Sequence, residues 1–188
     1  MLAGAGFRIL GRAGNEAGTR RWLQLLALSS SGTDHPTGAA APLPFLKPED
    51  EVDIRAGTYT REGTTAILVN DAGQVLLQLR DDIPTIRYPA HWSVPGGLME
   101  PGETPDETIR RELHEELGHR VGEIEKYGMI LDAYRNLIHI FAAPLNTPAE
   151  QFVLGEGREI RFFGRDELHA LKITPHAMEI LEHYLRGR

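Results

Sequence analysis

Glu112, Glu115 and Glu116 stand three and four residues apart, shortly after a glycine-containing stretch that begins at Gly96-Gly97. In a helix that spacing puts the three carboxylates on one face, where like charges cost about 0.2–0.5 kcal/mol per pair. Hard divalent cations give such a face a use. Mg²⁺ takes oxygen ligands, keeps several waters and shares its shell with substrate phosphates. Carboxylates on a rigid helical face hold one or more such ions and leave positions open. The glycines let the backbone approach closely, so a backbone carbonyl there is a candidate further ligand. Taken alone, Glu-x-x-Glu-Glu reads more readily as a solvated acidic face, and the surrounding residues must decide.

The elements that would position these acids are well marked. Thr104-Pro105-Asp106-Glu107 is a capping box with proline at the first helical position, and Gly118 is a natural terminator. This predicts a helix over about 105–117, with Ile109, Leu113 and Leu117 as an apolar stripe beside the acidic one. Residues 64–70, 74–80 and 92–95 read as strands, the first two as a hairpin around Asp71-Ala72-Gly73. A long loop, 81–91, lies between the second and third. Residues 128–134, 137–145 and 159–164 are further strand candidates, 165–171 is a short helix, and 174–185 a longer one with Ala177, Ile180, Leu181 and Tyr184 as its apolar stripe. The order implies an α+β fold with a mixed sheet between helices.

Outside the glutamates, Arg80 closes the second predicted strand and suits the leaving side of a phosphoryl transfer, if it is more than a solvated arginine. Trp92 and Tyr88 can stack on a base or simply pack, and His139 alternates with apolar residues like an ordinary sheet histidine. The 188 residues suit one domain with a proper core. A net charge of −7 argues against coating nucleic-acid polymers or anionic membranes. The absence of cysteine excludes disulfides, thiolate metal sites and cysteine nucleophiles. No apolar run is long enough to span a bilayer, and a cytoplasmic protein is expected. Residues 1–45 combine arginines, a short apolar run and a Ser/Gly/Pro/Ala string. They read as a disordered extension, with a secretory or transit peptide as the alternatives, and leave 46–188 as the domain.

The stretch 96–118 resembles the box of the Nudix hydrolase family, the MutT-like nucleotide pyrophosphohydrolases, written G-x5-E-x7-R-E-U-x-E-E-x-G-U with U a bulky aliphatic residue. Gly97, Glu103, Arg111, Glu112, Leu113, Glu115, Glu116 and Gly118 match in spacing, and only His119 departs, standing where an aliphatic residue is usual. The lead-in Trp92-Ser93-Val94-Pro95-Gly96-Gly97 is also typical. The resemblance implies an α/β/α sandwich and Mg²⁺-dependent (or Mn²⁺-dependent) hydrolysis of a nucleoside diphosphate linked to another moiety. It implies Glu112, Glu115, Glu116 and the Gly96 carbonyl as metal ligands, and a helix glutamate or a later loop acid as the base. Glu103 and Arg111 would form a structural ion pair. The helix candidates for the base are Glu115 and Glu116, and the later acid, reaching over the metal site as ligand or base, is expected at Glu156, on the Gly-Glu-Gly turn before a strand, with Glu159 as the alternative.

For the substrate, the arginine motif of coenzyme A hydrolases fails in register at Arg80 and Arg87. Tyr134 stands where ADP-ribose hydrolases carry a proline, a position at which a tyrosine is associated with dinucleoside polyphosphate hydrolases. A nucleoside triphosphate or similar small nucleotide is the leading expectation. Dinucleoside polyphosphates and nucleotide sugars or ADP-ribose follow, and a catalytically silent nucleotide sensor is the reading from a different class. Arg80, Trp92 and Tyr134 are the expected substrate contacts. A homodimer is left open.

Overall fold

The computed structural model describes residues 46–186. The expectation for residues 1–45 lies outside this range. The chain runs α1 (Asp50–Ala56), β1 (Glu62–Val69), β2 (Val75–Leu79), β3 (Trp92–Ser93), α2 (Pro105–Leu117), β4 (Glu125–Leu131), β5 (Leu137–Pro144), β6 (Glu159–Phe163) and α3 (Pro175–Arg186). Two 3₁₀ turns lie at Ala149–Gln151 and Arg165–Ala170.

The sheet is mixed. β1 pairs β5 in parallel along its whole length, from Glu62 opposite Leu137 to Val69 opposite Pro144. All other pairings are antiparallel, in the order β3-β2-β1-β5-β4, with β6 on β2. The predicted β1–β2 hairpin forms but parts after one rung, Val69 opposite Val75. The place beside β1 is then taken by residues 95–99, through bonds from Ala66 N–H to the Pro95 carbonyl, Thr64 N–H to the Gly97 carbonyl and Met99 N–H to the Glu62 carbonyl. The glycine loop is thereby laid along the central strand.

Both faces of β1 are covered. Ala66, Leu68, Leu76, Phe141 and Ala143 pack with Ile109, Leu113 and Leu117 of α2. The alternate residues Ile67 and Leu77 point the other way, as strand geometry requires, and are fully buried, as are Ala177, Ile180 and Leu181 of α3. The result is an α+β sandwich with a mixed sheet between helices.

Two expectations need correction, and the structure adds one element. β4 lies three residues earlier than predicted, because Asp132 to Asn136 close a tight turn. The Asp132 carboxylate accepts from the N–H groups of Tyr134 and Asn136, and Asp132 N–H donates to the Asn136 carbonyl. The helix at 165–171 is a 3₁₀ turn over Arg165–Ala170. α1 was not anticipated: it buries none of its residues and carries no apolar stripe. Tertiary bonds hold it, with Leu131 N–H donating to Asp50 Oδ2 at 2.8 Å and Leu46 N–H donating to the Met129 carbonyl at 2.9 Å. Among the described residues no helix is long and apolar enough to cross a membrane.

Candidate active site

α2 begins and ends as its sequence dictates. The Thr104 hydroxyl accepts from Glu107 N–H, the Glu107 carboxylate accepts from Thr104 N–H, and Gly118 closes the helix in left-handed geometry at φ 60°. With its apolar stripe fixed on the sheet, the helix must carry the acidic stripe along the flank nearest the glycine loop. Gly96 has a backbone that side chains rarely adopt (φ 137°), and a Cβ on it would collide with the Thr64 carbonyl. A Cβ on Gly97 would occupy the space of the Glu112 carboxyl group. The loop therefore lies directly against the acids.

Each glutamate has a distinct environment. Glu116 is 6% exposed, and its Oε2 accepts from Gly96 N–H at 2.9 Å. Burial pushes its pKa up to about 8; Glu112 and Glu156 add to the rise, while Gly96 N–H and Arg80 oppose it. Burial also raises Glu112, opposed by Arg111. Glu115 is the exposed member. Arg111 connects them: its Nη1 donates to Glu112 Oε1 at 2.8 Å and to Glu115 Oε2 at 3.0 Å. Its Nε and Nη2 grip Glu103 at 2.7 and 3.0 Å, and Nη2 also reaches the Leu98 carbonyl at 3.2 Å. Arg111, the Glu100 N–H and the Thr108 hydroxyl hold the Glu103 pKa down at about 2.

The segment carrying Glu156 is fastened to the C-terminal end of α2. Val153 N–H donates to the Leu117 carbonyl and Gly155 N–H to the Glu116 carbonyl, which satisfies acceptors the helix leaves open. A Cβ on Gly155 would strike the Glu115 carbonyl. On the sheet side, Gln78 Nε2 donates to the Glu156 carbonyl at 2.8 Å, and Arg158 N–H donates to the Leu79 carbonyl. Glu156 is thus brought close enough to raise the pKa of both Glu112 and Glu116. Glu159 opens β6 opposite Leu79 and is exposed. Gln78 has no motif to reveal it, because its role depends on which loop crosses the end of β2.

Beside this flank lies a cavity of ≈ 280 Å³ whose lining includes Arg80, Arg87, Tyr88, Tyr134, His176 and Lys47. The guanidinium of Arg87 sits 3.4 Å above the Tyr134 ring, and a hydrogen bond to Tyr134 is the main cause of a raised Tyr88 pKa. Arg80 Nε donates to the Arg87 carbonyl at 3.1 Å. Trp92 does not line this cavity; its ring meets Phe163 edge-on with centroids 4.7 Å apart. His139 lies 2.9 Å from Glu62, which also accepts from the Tyr59 hydroxyl.

The donors around Gly96 are carboxylate oxygens and a backbone carbonyl, the set that hard divalent cations take. Glu116 is buried with the half-buried Glu112 beside it and Glu156 near enough to act on both, and cationic charge there would offset their mutual repulsion. As arranged, no three acids or histidines among the described residues already enclose a cation. Arg111 draws Glu112 and Glu115 to itself, and Gly96 N–H holds Glu116. The donor chemistry fits a cation, whose entry requires these side chains to turn.

Comparison with known proteins identifies the family. The NUDIX domain family matches residues 59–184. An uncharacterized Nudix hydrolase of Pseudomonas aeruginosa is 32% identical over 142 residues, 71% of this chain and 82% of that protein. The nucleoside triphosphatase NudI of an Enterobacter species is 42% identical over 55 residues, which are 29% of this chain and only 38% of NudI. Among solved structures, a NUDIX hydrolase from Nitrosomonas europaea is 29% identical with a TM-score of 0.58, covering 69% of this chain and 72% of that one. With the box residues gathered on one helix flank and the match extending over most of the described fold, the chain belongs to the NUDIX domain family and is a Nudix hydrolase.

Proposed function

We propose that the protein hydrolyses a pyrophosphate bond in a nucleoside diphosphate linked to another moiety, with a nucleoside triphosphate or another small nucleotide as the substrate. The observation that carries this reading is the seating of Glu112 and Glu116 against the Gly96-Gly97 loop, with the segment carrying Glu156 fastened to the end of the same helix, next to a cavity lined by Arg80, Arg87, Tyr88 and Tyr134. Mg²⁺, with Mn²⁺ as substitute, would be held by Glu112, Glu115, Glu116, Glu156 and the Gly96 carbonyl. It would neutralise phosphate charge and lower the pKa of water.

The chain's own groups do the rest. Glu156, on its fastened loop, accepts the proton of the attacking water, with Glu115 and Glu116 as the other candidate bases. Arg80 meets the negative charge of the leaving side. Tyr134, braced by Arg87, offers the flat face for the remainder of the substrate. Trp92, engaged with Phe163, is left to packing. The nucleoside triphosphatase description of NudI favours a triphosphate. Dinucleoside polyphosphates, nucleotide sugars and ADP-ribose are the alternative substrates, and a silent nucleotide sensor the alternative class.

The test is release of phosphate and pyrophosphate across a nucleotide panel. Turnover is expected with Mg²⁺ or Mn²⁺ and is expected to vanish in excess chelator. Full activity after verified metal removal defeats the mechanism. Tight nucleotide binding without any turnover supports the sensor.

A further inference from the structure

The NUDIX match begins at residue 59, yet the cavity beside the acids has a wall from before that point. Lys47 reaches into the lining from the strap ahead of α1. Its Nζ lies 3.2 Å from Glu179 Oε1 on α3 and donates to the Leu131 carbonyl at 3.2 Å. The strap is anchored rather than loose. Leu46 N–H bonds the Met129 carbonyl, and Leu131 N–H bonds Asp50. Asp53 and Thr58 both hold Arg135, the residue after Tyr134.

The cavity is lined by groups of different chemistry. Arg80 follows directly on Gln78 and Leu79, which hold the Glu156 loop, so its end adjoins the acids. Lys47 and Glu179 also line it, paired with each other. An ammonium is a donor only and a carboxylate an acceptor only. Fixed side by side, they match a ligand edge that presents an acceptor next to a donor. Asp50 Oδ2 also lies 4.0 Å from the Lys47 ammonium and Asp132 lines the same cavity, so this part of the wall has no excess positive charge and is poorly suited to a phosphate. Tyr88 and Tyr134 supply aromatic faces in the same cavity, on which a base can stack whatever its identity.

We infer that Lys47 and Glu179 are specificity-determining residues that read the hydrogen-bonding edge of the substrate's base, Lys47 being supplied by a segment outside the family match. The substrate then lies with its phosphates toward Arg80 and its base toward α3. This rests on the proposed nucleotide hydrolysis and adds the orientation and the class of the far moiety: a nucleobase rather than an acyl chain or a second phosphate.

The experiment uses the full chain and steady-state kinetics on dATP, dGTP, dCTP and dTTP, with inorganic triphosphate, which has no base, as a competitive inhibitor. In both Lys47→Met and Glu179→Gln, KM for the preferred nucleotide is expected to rise at least fivefold, with a smaller change in kcat. The inhibition constant of inorganic triphosphate is expected to stay within twofold. Lys47→Arg, which keeps the donor, should recover most of the affinity. If Lys47→Met fails to fold, Glu179→Gln alone carries the test, since its partner remains in place. An unchanged KM in a working enzyme overturns the inference alone, as does a parallel rise in both constants, which would place the pair at the phosphates or in the fold. Failure of the wild-type protein to turn over any nucleotide overturns the proposed function and this inference with it.

Discussion

Arg111 holds Glu103, Glu112 and Glu115 together, so one cation keeps the glycine loop, the helix and the acids in a single arrangement. Glu103 is the member whose protonation can be followed as stability. Its folded pKa, about 2, lies below the ordinary glutamate value. Its stabilising contribution is thus complete above the ordinary value and is lost as pH falls toward 2. Urea unfolding between pH 5 and pH 2 should show a loss of stability that is smaller in Glu103→Gln; equal pH slopes for the two proteins would show that the pair contributes nothing. Glu156 makes a different prediction. Glu156→Gln should lower turnover at least tenfold, about 1.4 kcal/mol in the barrier. The metal-free melting temperature should be nearly unchanged, because the loop is held by backbone groups and not by this carboxylate. Wild-type turnover in Glu156→Gln, with loss in Glu159→Gln, would move the role to Glu159.

The contrast between the two ends of α2 can be tested at the level of the element. Its N-terminus is a local device made by Thr104 and Glu107, distant from the acids in sequence by more than a turn. Thr104→Ala should cost about 1 kcal/mol of stability and leave kcat largely intact. Its C-terminus is tertiary: the 153–155 strand of backbone caps the last carbonyls and in doing so delivers Glu156. Gly155→Ala puts a methyl group against the Glu115 carbonyl. It should lower kcat more than tenfold at a modest cost in melting temperature. Thermal melts and kcat measured on both variants separate the two ends. Similar kcat in Gly155→Ala and wild type would mean that the loop's fastening does not place the proposed base, Glu156.

For the whole molecule, residues 46–58 join the domain although the family match starts at 59. They bond β4 at Met129 and Leu131 and brace the turn that carries Tyr134. A chain starting at residue 46 is expected to fold and to turn over substrate, because residues 1–45 have a composition unsuited to a core. A chain starting at residue 59 should melt lower and bind nucleotide more weakly; equal melting temperatures for the two would show that the strap is idle. The strap's helix was illegible beforehand because nothing apolar marks it and its bonds run to residues some eighty positions away. Gln78 and the Lys47–Glu179 wall were hidden for the same reason. Their meaning comes from chain segments far apart in sequence, and a hydrogen bond leaves no period or spacing in either partner. By contrast, α2 and its three acids could be read directly, because caps, apolar stripe and acidic stripe are all encoded within one short stretch at helical spacing. Sequence alone determined which face of that helix is acidic, and the resemblance of the stretch to the Nudix box supplied the chemistry expected of it. Only the tertiary structure decided which loop meets it, which arginine balances it and which walls enclose the neighbouring cavity, since those follow from the packing of distant segments around one sheet.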